Sequence, residues 1–541
     1  MTRRFAILCA VLAGIAAAQG GQQPSEAGIP VTDPLVGAKC GSCHSTDSQG
    51  NMQRLSWSRS TPEGWEDALK QMILLHGVQV TPVEARAIVK YLGGSHGLAP
   101  DEAEPILYEP ERRIHDESGA FSMSLRDACA KCHSMAQVLS WRRSVEEWKQ
   151  FTASHATRYN VRSTDEALTF LAGAAPLHSP AWDAWISRAA TQDLAGRWLV
   201  TASMPGHGAY YGEMRLERDG EGEYNTQATL TSVKDGARLT RSGRALVFGG
   251  YAWRGRSKGT GNSAPDSISS EAKEVVSFAA NQSAGVGRWF WGQYQEFGFD
   301  VRFERATSAP TLLLVDRPSL KAGSRANRVR LIGENLPSQV APADLNFGPG
   351  VTVSQAASVS SHEIAADLDV AAGAQLGLRS VAFRASSLPD ALAVYDRIDY
   401  IKITPDSTVA AFGGRTRPRG YQQFDAIAYQ RGPDGRLHTA DDVPLGPVEV
   451  TWAVQVFHDP EFASSERVGS MNVLGLFTPA ERNPGANFDV WVIATAKDEK
   501  DANGAPFVGK SYLVVTVPEY TFNGRRYVRE LDRWVDDGPA R

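Results

Sequence analysis

Cysteine is scarce in this 541-residue chain, with only five in all. Neither charge predominates: 56 Lys and Arg face 61 Asp and Glu, a formal net charge of −5. No basic footprint for nucleic acid is therefore present. Beyond the first 18 residues no apolar run reaches the roughly 20 residues of a membrane helix. No phosphate-cradling glycine loop, nucleophile triad or low-complexity block appears. These absences leave few places for chemistry. One of them is conspicuous, because four of the five cysteines fall in two copies of one pentapeptide.

Residues 40–44 read CGSCH and residues 129–133 read CAKCH. In a helical turn, positions i, i+3 and i+4 share a face, so Cys40, Cys43 and His44 can address a single object, as can Cys129, Cys132 and His133. C-x-x-C-H is the attachment pattern of c-type haem: two thioethers hold the porphyrin and the histidine ligates iron. Chance would supply one copy roughly 0.001 times in a chain of this composition, so two copies are not accidental. A redox disulfide or a zinc site are the chemical alternatives. A zinc ribbon, however, separates its pairs by about 15–20 residues, and these pairs lie much further apart. Two covalent haems c are the expectation.

The fifth cysteine, Cys9, lies in MTRRFAILCAVLAGIAAAQG. Arg3 and Arg4, an apolar run from Phe5 to Ala18, and small residues at Ala16 and Ala18 read as a secretory signal peptide, with an uncleaved anchor as the alternative. Export agrees with c-type haem, and the expected location is the periplasm.

The haem region is internally repeated. SWSRSTPEGWEDALKQM follows His44 and SWRRSVEEWKQFTASH follows His133. Trp57 matches Trp141, Arg59 matches Arg143, and Trp65 matches Trp148. Seven residues past the last tryptophan stand Met72 and His155, each ahead of a capped helical pattern (TPVEARAIVKYLGG and STDEALTFLAG) closed by glycine. Low-spin haem needs a second axial ligand, with Met or His usual. The alignment proposes His44/Met72 and His133/His155. His76 rivals Met72, with Met52 and His96 behind; a Met at helical spacing also serves as plain core. Arg59 and Arg143 suit haem propionates, since a guanidinium matches a carboxylate; a solvated arginine is the alternative. His115 and His178 read as surface or structural residues.

From Leu194 the texture turns to alternating strands. GEMRLERDGEGEYNTQATL carries a hairpin signal at Asp219-Gly220. The expected organisation is a signal peptide (1–18), an α-helical dihaem cytochrome c domain (19–190) and three antiparallel β domains. These are a barrel-like one (191–308) and two immunoglobulin-like sandwiches (309–404 and 405–541). The acidic loop GPDGRLHTADD lacks EF-hand spacing and reads as a polar turn rather than a calcium site.

With the paired SW-x-R-S half-repeats and the three-part β tail, the chain resembles the α subunit of quinohaemoprotein amine dehydrogenase over essentially its whole length. The resemblance implies a periplasmic heterotrimer with a β-propeller subunit and a small γ subunit bearing a cysteine tryptophylquinone. It also implies oxidation of primary amines on that quinone. Electrons would leave through this chain's two haems to a soluble cytochrome c or blue-copper protein. No cysteine remains here for a thioether-linked quinone, so no catalytic residue for amine chemistry is expected on this chain. A free-standing dihaem cytochrome with β binding domains, or a dihaem peroxidase, are the competing readings.

Overall fold

A computed structural model describes residues 26–106, 122–130, 133–159, 165–189, 193–261, 264–414, 417–457, 465–482, 484–517, 525–528 and 533–536. The expected leader 1–18 with Cys9, and also Cys132 and His115, lie outside the described residues. No described helix is long and apolar enough to cross a membrane.

The N-terminal region is helical: α1 (Pro34–Cys40), α2 (Pro62–His76), α3 (Pro82–Ser95), α4 (Pro100–Ala103), α5 (Met123–Cys129), α6 (Met135–Leu139), α7 (Val145–Tyr159), α8 (Asp165–Ala174) and α9 (Pro180–Ile186). Its helices start where side chains can satisfy the first free amides. Asp33, Thr61, Thr81 and Ser179 each cap a helix whose first residue is proline, which has no amide to satisfy. Gly77, left-handed at φ +71°, stops α2. The glycines expected to close the next helix do not. Gly93 and Gly94 lie inside α3, which runs on to Ser95. Gly93 is needed for close packing, because a Cβ there would stand 2.8 Å from the Phe248 ring.

Two short strands, β1 (Ser58–Ser60) and β2 (Trp141–Arg143), join the halves of this region. They pair antiparallel, with Ser58 opposite Arg143 and Ser60 opposite Trp141. Because equivalent residues of the two half-repeats cross here, the ladder is a local two-fold. The repeat seen in the sequence is thus a repeat in space.

Eight strands, from β3 (Gly196–Met204) to β10 (Phe297–Arg305), then form a closed antiparallel barrel in which β10 returns to β3. Closure removes the sheet edges. The barrel is filled by aromatic side chains, among them Trp198, Trp253, Trp289, Phe299 and Phe303. Its second hairpin turns at Glu221-Gly222, two residues later than the Asp219-Gly220 signal suggests. The left-handed Gly222 (φ +63°) fixes that turn.

Two sandwich-like units follow. In the first, two four-stranded sheets enclose a core that includes Leu312, Val329, Ile364 and Phe383. In the second, three sheets surround Ile403, Phe412, Phe424, Val492 and Leu513. Neither is purely antiparallel. Ser319–Lys321 runs parallel to Ser386–Tyr395, and Ser407–Ala411 parallel to Pro506–Thr516. In both units a proline (Pro318, Pro405) breaks the first strand, and the chain crosses to the opposite sheet. In the loop at 432–442, carboxylates accept from backbone amides, as Asp442 does from Gly432 and Thr439. No group of three or more His, Cys, Asp or Glu able to hold a metal occurs among the described residues.

The helical region is fastened to the barrel. Glu63 pairs with both arms of Arg254, Trp185 Nε1 donates to Gly249 O at 2.9 Å, and Tyr251 Oη donates to Ala99 O at 3.3 Å. Leu98, Trp182, Trp185, Phe248 and Tyr251 share one apolar cluster across this junction.

Candidate haem sites

The first motif begins as the last residue of α1. Beyond Cys40 the backbone continues one tight turn, with Cys43 N and His44 N both donating to Cys40 O, at 3.1 and 2.9 Å. This gathers Cys40, Cys43 and His44 on one side, as the spacing requires. Cys40 is half-buried against an apolar cluster containing Val36, Met52, Trp65 and Leu69. Burial pushes its thiol pKa up, with Cys43 adding to the rise. His44 Nδ1 lies 3.0 Å from Gln53 O. A carbonyl only accepts, so Nδ1 carries the proton and Nε2 keeps its lone pair for a metal.

The second motif repeats this design. α5, capped by Ser122, ends on Cys129, whose thiol pKa burial likewise raises. His133 Nδ1 stands 3.1 Å from Ser134 O, so its Nε2 is again the available nitrogen.

Across from His133 stands His155. Imidazole binds a metal ion at roughly 2 Å, so two facing rings could hold one ion between them. His133 and His155 are 6.3 Å apart, with their planes at 70°. One helical turn to either side, Phe151 stacks on His155 (5.5 Å, 27°) and Tyr159 packs at 4.7 Å, which restrains the ring. Burial, then the neighbouring His133 and Arg158, lower the His155 pKa, which favours the neutral, metal-ligating form. These residues would suit a haem iron held between them.

Met72 occupies the same place in the first half. α2 and α7 are each 15 residues long, and Met72 and His155 are both the eleventh residue. Met72 is half-buried, and His76, one turn further on, is exposed. Both stand on one face of α2. Leu74 and Leu75 (80% and 62% exposed) and Val83 (79%) leave apolar surface in this part of the helix pair, as a porphyrin face requires. The lesser rivals lie in the core. Met52 is core at 1% exposure, and His96, at 0%, points Nε2 to Ile29 O at 3.2 Å.

Four family models match the chain in order. They are the haem-binding region of the quinohemoprotein amine dehydrogenase alpha subunit over residues 31–167, and its domains II over 191–306, III over 309–396 and IV over 401–525. The chain belongs to the α-subunit family of quinohaemoprotein amine dehydrogenases. No curated protein matches it. Among solved structures, a redesigned β-barrel is 14% identical, covering 22% of this chain and 96% of its own, with a TM-score of 0.18. Human protocadherin-24 EC1-2 is 16% identical, covering 39% and 99%, with a TM-score of 0.17. A SusE-like surface polysaccharide-binding protein of Bacteroides thetaiotaomicron is 11% identical, covering 56% and 54%, with a TM-score of 0.14. Scores at this level say nothing of the α subunit as a whole.

The two arginines of the α-subunit repeat part company. Arg59 is not placed to meet a propionate. It is completely buried, and its guanidinium takes both oxygens of Glu102 (2.7 and 2.9 Å), Leu177 O and Gly97 O, with Trp182 beneath it at 4.7 Å. Its partner Glu102 stands 43 residues away, with no local signal to announce it. Among the described residues Arg143 has no such acid. Its Nη1 donates to Ser58 Oγ at 2.8 Å and its buried Nε has no partner, an orphaned donor that fits an anionic group. The tryptophans do correspond. Trp65 Nε1 donates to His96 O at 2.9 Å and Trp148 Nε1 to Ala175 O at 2.8 Å, each closing the C-terminus of the helix that follows. The aromatic flanks of His155 went unread in the sequence, although their i±4 spacing was there to find.

Proposed function

We propose that this α subunit is the dihaem electron-transfer chain of a periplasmic amine dehydrogenase. Cys40 and Cys43, and Cys129 and Cys132, hold two haems c by thioether bonds. His44 with Met72, and His133 with His155, take the axial positions. Arg143 supplies a donor for a propionate. The observation that carries this reading is the facing pair His133 and His155, each with a geometry suited to iron, inside the region that the haem-binding family model matches.

The haems supply one-electron carriage. The chain's own residues anchor them, fix the histidine tautomers through Gln53 O and Ser134 O, and surround them with apolar side chains. Amine oxidation to aldehyde and ammonia then belongs to a cysteine tryptophylquinone on a small γ subunit, held with a β-propeller subunit. The final acceptor is a soluble cytochrome c or a blue-copper protein. The supporting argument is the cysteine inventory: outside the two motifs only Cys9 remains, in the leader.

Purification from the native periplasm, followed by subunit mass spectrometry and an amine-dependent haem-reduction assay, tests the assignment. The denatured chain should retain two haems by mass, and phenylhydrazine should label a small companion chain only. Haem lost to acid–organic extraction would remove the thioether assignment. Labelling of this chain would remove the division of labour. Purification without partners would favour a free-standing cytochrome.

A further inference from the structure

Arg143 is a half-buried cation, with its Nε fully enclosed, that no carboxylate of the described chain neutralises. Its guanidinium carbon lies 4.3 Å from the Trp141 ring, 4.9 Å from Phe151 and 5.5 Å from Trp148. Such a cage attracts a cation by its ring quadrupoles, but it brings no negative charge. Glu147, whose charge reaches Arg143, pairs instead with Arg54 at 3.4 Å. Burial draws the Arg143 pKa down to about 10, partly opposed by Glu147, so the group stays charged at neutral pH.

A partly desolvated charge without a counter-charge is costly to the fold, and its position shows what it acts on. The Phe151 ring that contacts Arg143 stacks on His155 at 5.5 Å. The guanidinium is therefore no more than about 10 Å from that imidazole, close enough in a low-dielectric interior for a unit charge to change an equilibrium about tenfold.

We propose that Arg143 is a positioning residue that raises the reduction potential of the haem ligated by His133 and His155. The inference rests on the dihaem reading above. Adding an electron to the iron lowers its net charge by one, and a nearby cation stabilises that reduced state. The sign is the same if Arg143 Nε also binds a propionate, because the pair removes a negative charge that would disfavour reduction. Arg59 exerts no such effect on the other haem, because Glu102 neutralises it.

The test is a spectroscopic redox titration of the full haem-loaded chain. Arg143→Gln is expected to lower the potential of the bis-histidine haem by about tenfold in its reduction equilibrium, about 59 mV for one electron. The other haem should be unmoved, and Arg143→Lys should restore most of the loss. A shift under about twofold, an equal shift of both haems, or a Lys variant that behaves like Gln would each overturn the proposal. If the Gln variant does not fold, Glu147→Gln serves instead. Removing that carboxylate should raise the same potential, and an unchanged or lowered value overturns the assignment. A wild-type chain with fewer than two haems by mass sinks the dihaem reading itself, whereas two haems with unmoved potentials sink only the role of Arg143.

Discussion

Arg59 and Arg143 occupy matching places in two half-repeats, yet one is an ion pair and the other a cation among rings. Arg59 ties β1, the end of α3, α4 and the start of α9 together through Glu102, whose other neighbours are Arg142 at 3.7 Å and Ser179 Oγ at 2.7 Å. Arg143 ties nothing acidic among the described residues. A repeated motif therefore kept its backbone ladder and its tryptophan hydrogen bonds while its charges diverged. The first half uses its arginine for stability. The second leaves its arginine free to act on a neighbouring group.

That contrast can be broken most forcefully at Glu102. Glu102→Ala leaves Arg59 buried and unpaired, which should cost about 3–5 kcal/mol. Glu147→Ala removes an acid whose partner Arg54 is half-exposed, and should cost about 1 kcal/mol or less. Equilibrium denaturation of the two variants measures the difference. Equal losses would mean that the halves are not differently stabilised.

A second difference depends on pH. His96 closes α3, and its repeat counterpart Ala175 cannot titrate. Burial above all, assisted by the Arg59 charge and opposed by the Ile29 carbonyl, lowers the His96 pKa to about 4. The unfolded histidine titrates near 6.5, so between these values the unfolded chain binds the extra proton. Stability is complete above pH of about 6.5 and falls by about 3 kcal/mol as pH drops toward 4. Denaturant midpoints across that window should show the slope, and His96→Phe should flatten it. A slope that survives in the variant would assign it to another group.

Where the halves agree, the expected effects are smaller and alike. Trp65→Phe and Trp148→Phe each remove an indole N–H, while His96 O still accepts from Ser60 N and Ala175 O from Arg143 N, so each should cost about 0.5–1.5 kcal/mol. The two losses should match closely. Unequal losses would show that the spatial repeat is less regular than its hydrogen bonds suggest.

Much of this was legible because the signals are local. The haem motifs, the half-repeat, the cap at Thr81 and the alternating strands of the barrel all lie within a few residues of what they specify. The unread features are long-range. Glu102 reaches Arg59 through the end of α3, and Phe248 fixes why Gly93 is glycine only once the barrel is packed on that helix. The parallel strands needed the sheet crossings at Pro318 and Pro405, which a strand pattern does not show. Arg59 was misjudged for the same reason, since a guanidinium suits a propionate and a distant glutamate equally well.

The smallest expected change in stability lies at Met72, where the ligands proposed for the two halves differ in type. Met72 is half-buried near the end of α2, so Met72→His should shift stability by less than about 1 kcal/mol. Its redox effect should be much larger. Thioether sulfur is a weaker donor than imidazole and stabilises Fe(II) relative to Fe(III), so methionine ligation raises a haem's potential. The His44/Met72 haem should then be the more oxidising of the two, even with Arg143 raising the other. Electrons would enter at the His133/His155 haem and leave from the first. In Met72→His the sulfur-to-iron band of the ferric spectrum should vanish, one potential should fall, and transfer to the external acceptor should slow. Amine-dependent reduction of the partner's quinone should be spared. An unchanged spectrum and potential would pass the ligand role to His76, one turn along the same face of α2, and the equivalence of Met72 with His155 would fail with it.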